Sequence, residues 1–153
     1  MEEEVKAVFV VEGVSEKGFR VDMKTGEGFR LVADEPRELG GGGEGPNPIE
    51  LFLASIASCF AITARIHAGK MGVSIERISV SVRGVLDLRA ISEIGGVEPG
   101  LESVELRAEI VSKSPCSELE KVVEKTLRTW VVGSMVAKSG RLRVSVDKIC
   151  AER

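Results

Sequence analysis

The sequence predicts an α+β fold with antiparallel sheet and elements in the order βββ-α-β-β-α-β. Three observations carry that prediction. Short segments rich in Val and Phe open the chain, a long apolar stretch follows clear helix-start chemistry at Asn47, and two later stretches alternate at period two on either side of a stripe spaced by three and four. The 153 residues make one ordinary domain, 1–153, long enough to bury a core.

Val5 to Glu12, Phe19 to Met23 and Phe29 to Ala33 read as three strands, the last two separated by a Thr25-Gly26 turn signal, and their short spacing predicts an antiparallel meander. Gly40 to Gly43 cannot lie inside an element, and without the Lys-Ser/Thr ending of a phosphate loop they read as a flexible connector. Asn47 can cap a helix, Pro48 suits its first position, and Glu50 stands where a capping box places its acid. The helix should run to about His67 or Lys70. It is apolar almost all round, through Ile49, Leu51, Phe52, Leu53, Ile56, Phe60 and Ile62, so burial on every side is expected. One such domain can hardly surround it, which predicts a second subunit. Ile75 to Leu88 reads as a strand with a bulge near Gly84, Arg89 to Gly100 as a loop, and Val104 to Val111 as a strand. A second helix should start near Ser114-Pro115 and carry a stripe from Leu119 through Trp130 to Met135. Leu142 to Val146 closes the chain as a last strand.

Net charge is −3 and Lys and Arg form no run, so nucleic-acid binding is not expected. No charge-free apolar run of about 18 residues is present, so no membrane span is expected. The acidic start lacks the basic region of a secretory signal, which places the protein in the cytoplasm. Gln is absent, Asn47 is the single Asn and 29% of residues are charged, a composition that fits a thermophilic source.

The chain has three cysteines, Cys59, Cys116 and Cys150, and one histidine, His67. An odd, sparse set in a cytosolic chain does not read as a disulfide framework, and with no CxxC and one histidine no zinc site is expected. Cys59 falls in mid-helix, where a cysteine is usually a small core residue, and a reactive thiolate there needs a nearby cation. Cys116 falls beside a helix start, where free N–H groups and the helix dipole favour a thiolate; continuation of the apolar stripe toward Leu119 is an equal reading. Cys150, next to the tail, reads as incidental.

Taken together, Pro36-Arg37-Glu38-Leu39-Gly40-Gly41, Gly45-Pro46-Asn47-Pro48-Ile49-Glu50-Leu51-Phe52 and Ala57-Ser58-Cys59-Phe60 resemble the OsmC/Ohr family of peroxide-detoxifying proteins. The resemblance covers nearly the whole chain, including element order. It implies an intertwined homodimer in which antiparallel sheets wrap two long central helices, with active sites at the interface. It implies reduction of organic hydroperoxides, and of hydrogen peroxide less well, without a bound cofactor or metal; an external dithiol, such as a lipoyl group, returns the electrons. Cys59 would attack the peroxide and become a sulfenic acid, and Cys116 would close a disulfide with it. A guanidinium would hold the thiolate, with Arg37 the first choice and Arg20 the second, and a carboxylate, represented by Glu50, would orient it. Two departures place the chain nearer the broader OsmC-like branch. Ile49 stands where peroxidase members carry Glu, which leaves Glu50 about 180° around the helix from Cys59, and Pro115 precedes Cys116 where the family often has Pro after the cysteine. The alternatives on the same resemblance are a non-catalytic stress protein that holds an apolar ligand at the dimer interface and a thiol enzyme acting on another electrophile.

Overall fold

The computed structural model describes residues 5–92 and 94–151, so Met1 to Glu4, Glu93 and the tail residues Glu152 and Arg153 lie outside the described residues. The chain divides into two compact units, Met1–Phe52 and Leu53–Arg153.

The first unit is the expected antiparallel meander of β1 (Val11–Val14), β2 (Val21–Thr25) and β3 (Arg30–Ala33). β1 starts later than the Val and Phe content predicts, because β2 ends at Thr25, opposite Val11, and the chain turns there. Val5 to Val10 precede the strand, and Val5, Val8 and Phe9 stand almost fully exposed. After β3, a single 3-10 turn over Arg37–Leu39 leads into the glycine run. That run is not a slack connector. Gly41 N–H donates to Pro36 O at 3.1 Å and Gly43 N–H to Glu35 O at 3.1 Å. A Cβ on Gly41 would lie 1.8 Å from Glu35 O, so the fold of this loop needs glycine there.

Helix α1 (Pro48–Met71) begins as predicted. Glu50 N–H donates to Asn47 Oδ1 at 2.8 Å, and Asn47 N–H donates to Glu50 Oε2 at 2.9 Å, a reciprocal capping box.

The second unit holds the rest of α1, β4 (Ile75–Leu86), β5 (Leu101–Pro115), α2 (Cys116–Thr129), α3 (Val131–Ala137) and β6 (Leu142–Ala151), with sheet order β4-β5-β6. In β5, Val104, Leu106, Ala108 and Ile110 point into the core while Glu105, Arg107 and Glu109 alternate outward. β4 pairs with β5 antiparallel, and its register shifts between Val85 and Leu86, just past Gly84. β6 pairs with β5 in parallel, which departs from an all-antiparallel sheet. The intervening α2–α3 segment supplies the crossover that carries the chain back to the start of β5.

One further expectation changes. The second helix is not continuous to Met135: it breaks at Trp130, which takes an extended conformation (φ −76°, ψ 104°) before α3 resumes. Packing causes the break. Trp130 is 2% exposed, its ring meets Phe60 edge-to-face at 5.4 Å, and its indole lies so close over Gly133 that a Cβ there would come within 2.0 Å. A single chain does not bury α1 on every side, in keeping with the expectation that one domain can hardly surround it. Its buried residues are Ile56, Phe60, Ala64 and Ala68, one stripe at four-residue spacing, and Ile62 and Ile66 remain 59% and 50% exposed. By length and composition alone, with a mean hydropathy of 1.7 over its apolar window, α1 is long and apolar enough to cross a membrane. Its buried stripe nonetheless forms part of this unit's core, and Arg65 Nη1 donates to Ile75 O at 3.2 Å.

A disulfide joins Cys116, the first residue of α2, to Cys150 near the end of β6, with Cα atoms 5.2 Å apart. The bond overturns the reading of Cys150 as incidental and of the cysteines as free of structural pairing. It closes a loop across a separation of 34 residues, which stabilises such a fold by about 2–4 kcal/mol. Reducing this bond is expected to lower the thermal midpoint, and calorimetry with and without a strong reductant measures the drop.

Candidate active site

Each expected site residue is positioned by its own element. Cys59 is the free cysteine, half-buried at the centre of α1 and packed against the core of the second unit beside the buried Phe60. It lies twelve residues before the end of α1 at Met71, about 18 Å of helix at 1.5 Å per residue. α1 runs back along β4. Leu53 Cδ2 lies 3.3 Å from where a Cβ on Gly84 would stand, and the turn after α1 meets the end of β5. At that turn Ser74 N–H donates to Ser114 Oγ at 3.0 Å and Ser112 Oγ donates to Ser74 O at 2.5 Å.

Cys116 follows this corner directly, because β5 extends to Pro115. It therefore sits level with the end of α1 and not with its centre. The structure does not bring Cys59 and Cys116 together as the reactive pair. Cys116 is bonded to Cys150, which reaches it because Pro115 pairs with Ala151 across the parallel ladder. The residue held against the turn of α1 that carries Cys59 comes from the opposite end of α2: it is Trp130, in contact with Phe60.

In the first unit, Arg37 is exposed, and its Nε donates to Gly42 O at 3.1 Å. Arg20 donates to both oxygens of Asp22, at 2.9 and 2.6 Å, and pairs with Glu44. The hydrogen bond to Asp22 is the main cause that raises its pKa above the ordinary arginine value. Glu50 uses its carboxylate on the Asn47 N–H, the helix-cap role.

Asp34 was not singled out from the sequence, yet it organises this loop. It is 2% exposed; its Oδ1 accepts from Glu35 N–H at 2.8 Å and its Oδ2 from Gly42 and Glu44 N–H at 3.0 and 3.1 Å. The Glu44 N–H foremost, with those of Glu35 and Gly42 and the charge of Arg20, holds its carboxyl below the ordinary value against the opposing effect of desolvation. A depressed folded value contributes stability that is present above the unfolded pKa and lost as pH falls through the folded one. The wild type is therefore expected to lose stability more steeply on acidification than Asp34→Asn, read as urea midpoints from neutral pH down through the carboxylate range.

Among the described residues, no group of three or more His, Cys, Asp or Glu is arranged to hold a metal ion. What the second unit offers chemically is one free thiol on an apolar helix, with a closed disulfide at a separate corner.

Comparison with known proteins bears on that chemistry. The family model described as OsmC-like protein matches residues 41–145. An uncharacterized protein of Bacillus subtilis, YmaD, is 32% identical over 73 residues, which cover 46% of this chain. The match spans about half of that relative, 49% of its length. Among solved structures, an OsmC-like protein from Mycoplasma pneumoniae superposes with a TM-score of 0.78 at 16% identity, over 97% of this chain and 100% of its own. An organic hydroperoxide resistance protein OsmC from Legionella pneumophila, also described as a predicted redox protein, gives a TM-score of 0.66 at 23% identity, over 95% and 99%.

Proposed function

The chain belongs to the OsmC-like family, and from that premise we propose that it is a thiol-dependent peroxidase that reduces organic hydroperoxides, with Cys59 as the attacking thiolate. The observation that carries this reading is the free, half-buried thiol of Cys59 at the motif position on α1. The name of the Legionella relative, an organic hydroperoxide resistance protein, supports the substrate class. The Cys59 thiolate attacks the terminal peroxide oxygen. The O–O bond breaks, the alkoxide leaves and takes a proton as the alcohol, and Cys59 becomes a sulfenic acid. An external dithiol, of lipoyl type in this proposal, supplies the two electrons that restore it.

Arg37 is the proposed partner of the thiolate. Arg20 is less suited, since Asp22 and Glu44 already occupy its guanidinium. Glu50 is assigned to the helix cap, where its carboxylate is already engaged. Cys116 as the second thiol is not carried over from the family resemblance, because it is bonded to Cys150.

The proposed assembly is a homodimer formed over the uncovered apolar side of α1, where Ile62 and Ile66 are exposed. Sedimentation is expected to give the mass of a dimer, and Ile62→Glu to shift it toward the monomer. The proposed compartment is the cytoplasm of an organism growing at high temperature. A closed disulfide is compatible with that setting, since intracellular proteins of hyperthermophiles are an exception to the rarity of cytosolic disulfides.

The second reading, a non-catalytic protein holding an apolar ligand, draws on the same exposed apolar residues. Incubation with cumene hydroperoxide and dihydrolipoamide separates the two. A peroxidase consumes the hydroperoxide in repeated turnovers; a binding protein leaves it unchanged.

A further inference from the structure

We infer that oxidised Cys59 is resolved by an external thiol through a mixed disulfide, while the Cys116–Cys150 bond stays closed through the cycle as a structural crosslink. This rests on the hydroperoxide reading of Cys59 and assigns the second half of its reaction.

Geometry argues for it from both ends. A disulfide requires Cα atoms within about 7 Å. Cys116 meets that requirement with Cys150, at 5.2 Å. The segment leading into it is held at the α1–β4 corner by the bonds of Ser112 and Ser114 to Ser74. Cys59 lies twelve residues of helix away from the end of α1 at that corner, about 18 Å. Bringing Cys116 to Cys59 within the chain would mean opening its disulfide, releasing those serine bonds and unwinding the start of α2. The part of the α2–α3 segment that does reach the Cys59 turn presents Trp130, which has no thiol and is fixed against Phe60.

The step balances without Cys116. The thiolate of an external thiol attacks the sulfenic sulfur of Cys59, the S–O bond breaks, and the oxygen leaves as water after protonation. The product is a disulfide between Cys59 and the external thiol. A second thiol, or the other arm of a dithiol, attacks the sulfur of the external partner. Cys59 leaves as thiolate, and the external pair departs oxidised.

Two measurements test the inference. The wild-type protein is treated with one equivalent of cumene hydroperoxide, then with 2-mercaptoethanol or with dimedone, and mapped by mass spectrometry without reduction. The expected result is a 2-mercaptoethanol disulfide or a dimedone adduct on Cys59, with the Cys116–Cys150 peptide unchanged. In parallel, Cys116→Ser/Cys150→Ser is assayed with dihydrolipoamide below its unfolding temperature, and its turnover should stay within about twofold of wild type. A peptide linking Cys59 to Cys116 or Cys150 overturns the inference and leaves the peroxidase reading standing, as does a loss of more than about tenfold in a double variant still folded by circular dichroism. Absence of any Cys59 adduct and of any peroxide consumption in the wild type overturns the peroxidase reading, and the inference falls with it.

Discussion

Cys59→Ser is expected to abolish hydroperoxide consumption, reducing turnover by about a thousandfold or more. The reason is nucleophilicity. A thiol ionises far more readily than a hydroxyl and its sulfur attacks a weak O–O bond, whereas a serine hydroxyl stays protonated and is a poor nucleophile. The substitution removes little volume from a half-buried site, so the variant should fold as the wild type does. Loss of turnover with unchanged circular dichroism and sedimentation then reports chemistry alone. Consumption of peroxide by Cys59→Ser at the wild-type rate would exclude Cys59 as the nucleophile.

Trp130→Ala is expected to destabilise the second unit by about 3–5 kcal/mol. The side chain is 2% exposed and meets the fully buried Phe60 edge-to-face. Removing it leaves a cavity against Phe60 and forfeits an aromatic contact of about 0.5–1.5 kcal/mol within that total. For a chain of this size the thermal midpoint should fall by roughly 10 °C. Trp130→Phe, which keeps an aromatic ring at the break, should lose less. Equal midpoints for wild type and Trp130→Ala would mean that the α2–α3 break is held by something other than this packing.

These two residues mark where the sequence could and could not be read. Cys59 stood out through the family resemblance, whose motif includes local chemistry at the start of α1: Asn47, Pro48 and Glu50 specify a cap within four residues, and the structure forms it. The β5 alternation was likewise visible, since a strand buried on one face repeats at period two. Trp130 was read as one more member of a helical stripe. Its extended conformation is set by Phe60 and Gly133, and periodicity cannot express a residue that leaves its helix to pack. The partner of Cys116 was hidden for a similar reason. Sequence spacing does not determine which cysteines meet; here the parallel register of β6 on β5 decides it. Asp34 escaped notice because its burial depends on a glycine loop folding back over it, with contacts up to ten residues away. Arg37 and Arg20 were both named from the family resemblance, and the structure separates them by the partners that each guanidinium keeps.

The parallel placement of β6 has a consequence for biosynthesis. β6 leaves the ribosome well after β5, yet it seals one side of β5, a strand of 15 residues. Until it arrives, that side of β5 presents a row of unsatisfied peptide groups to neighbouring nascent chains. Docking β6 shields them, and oxidation of Cys116 with Cys150 then latches the shield at its far end.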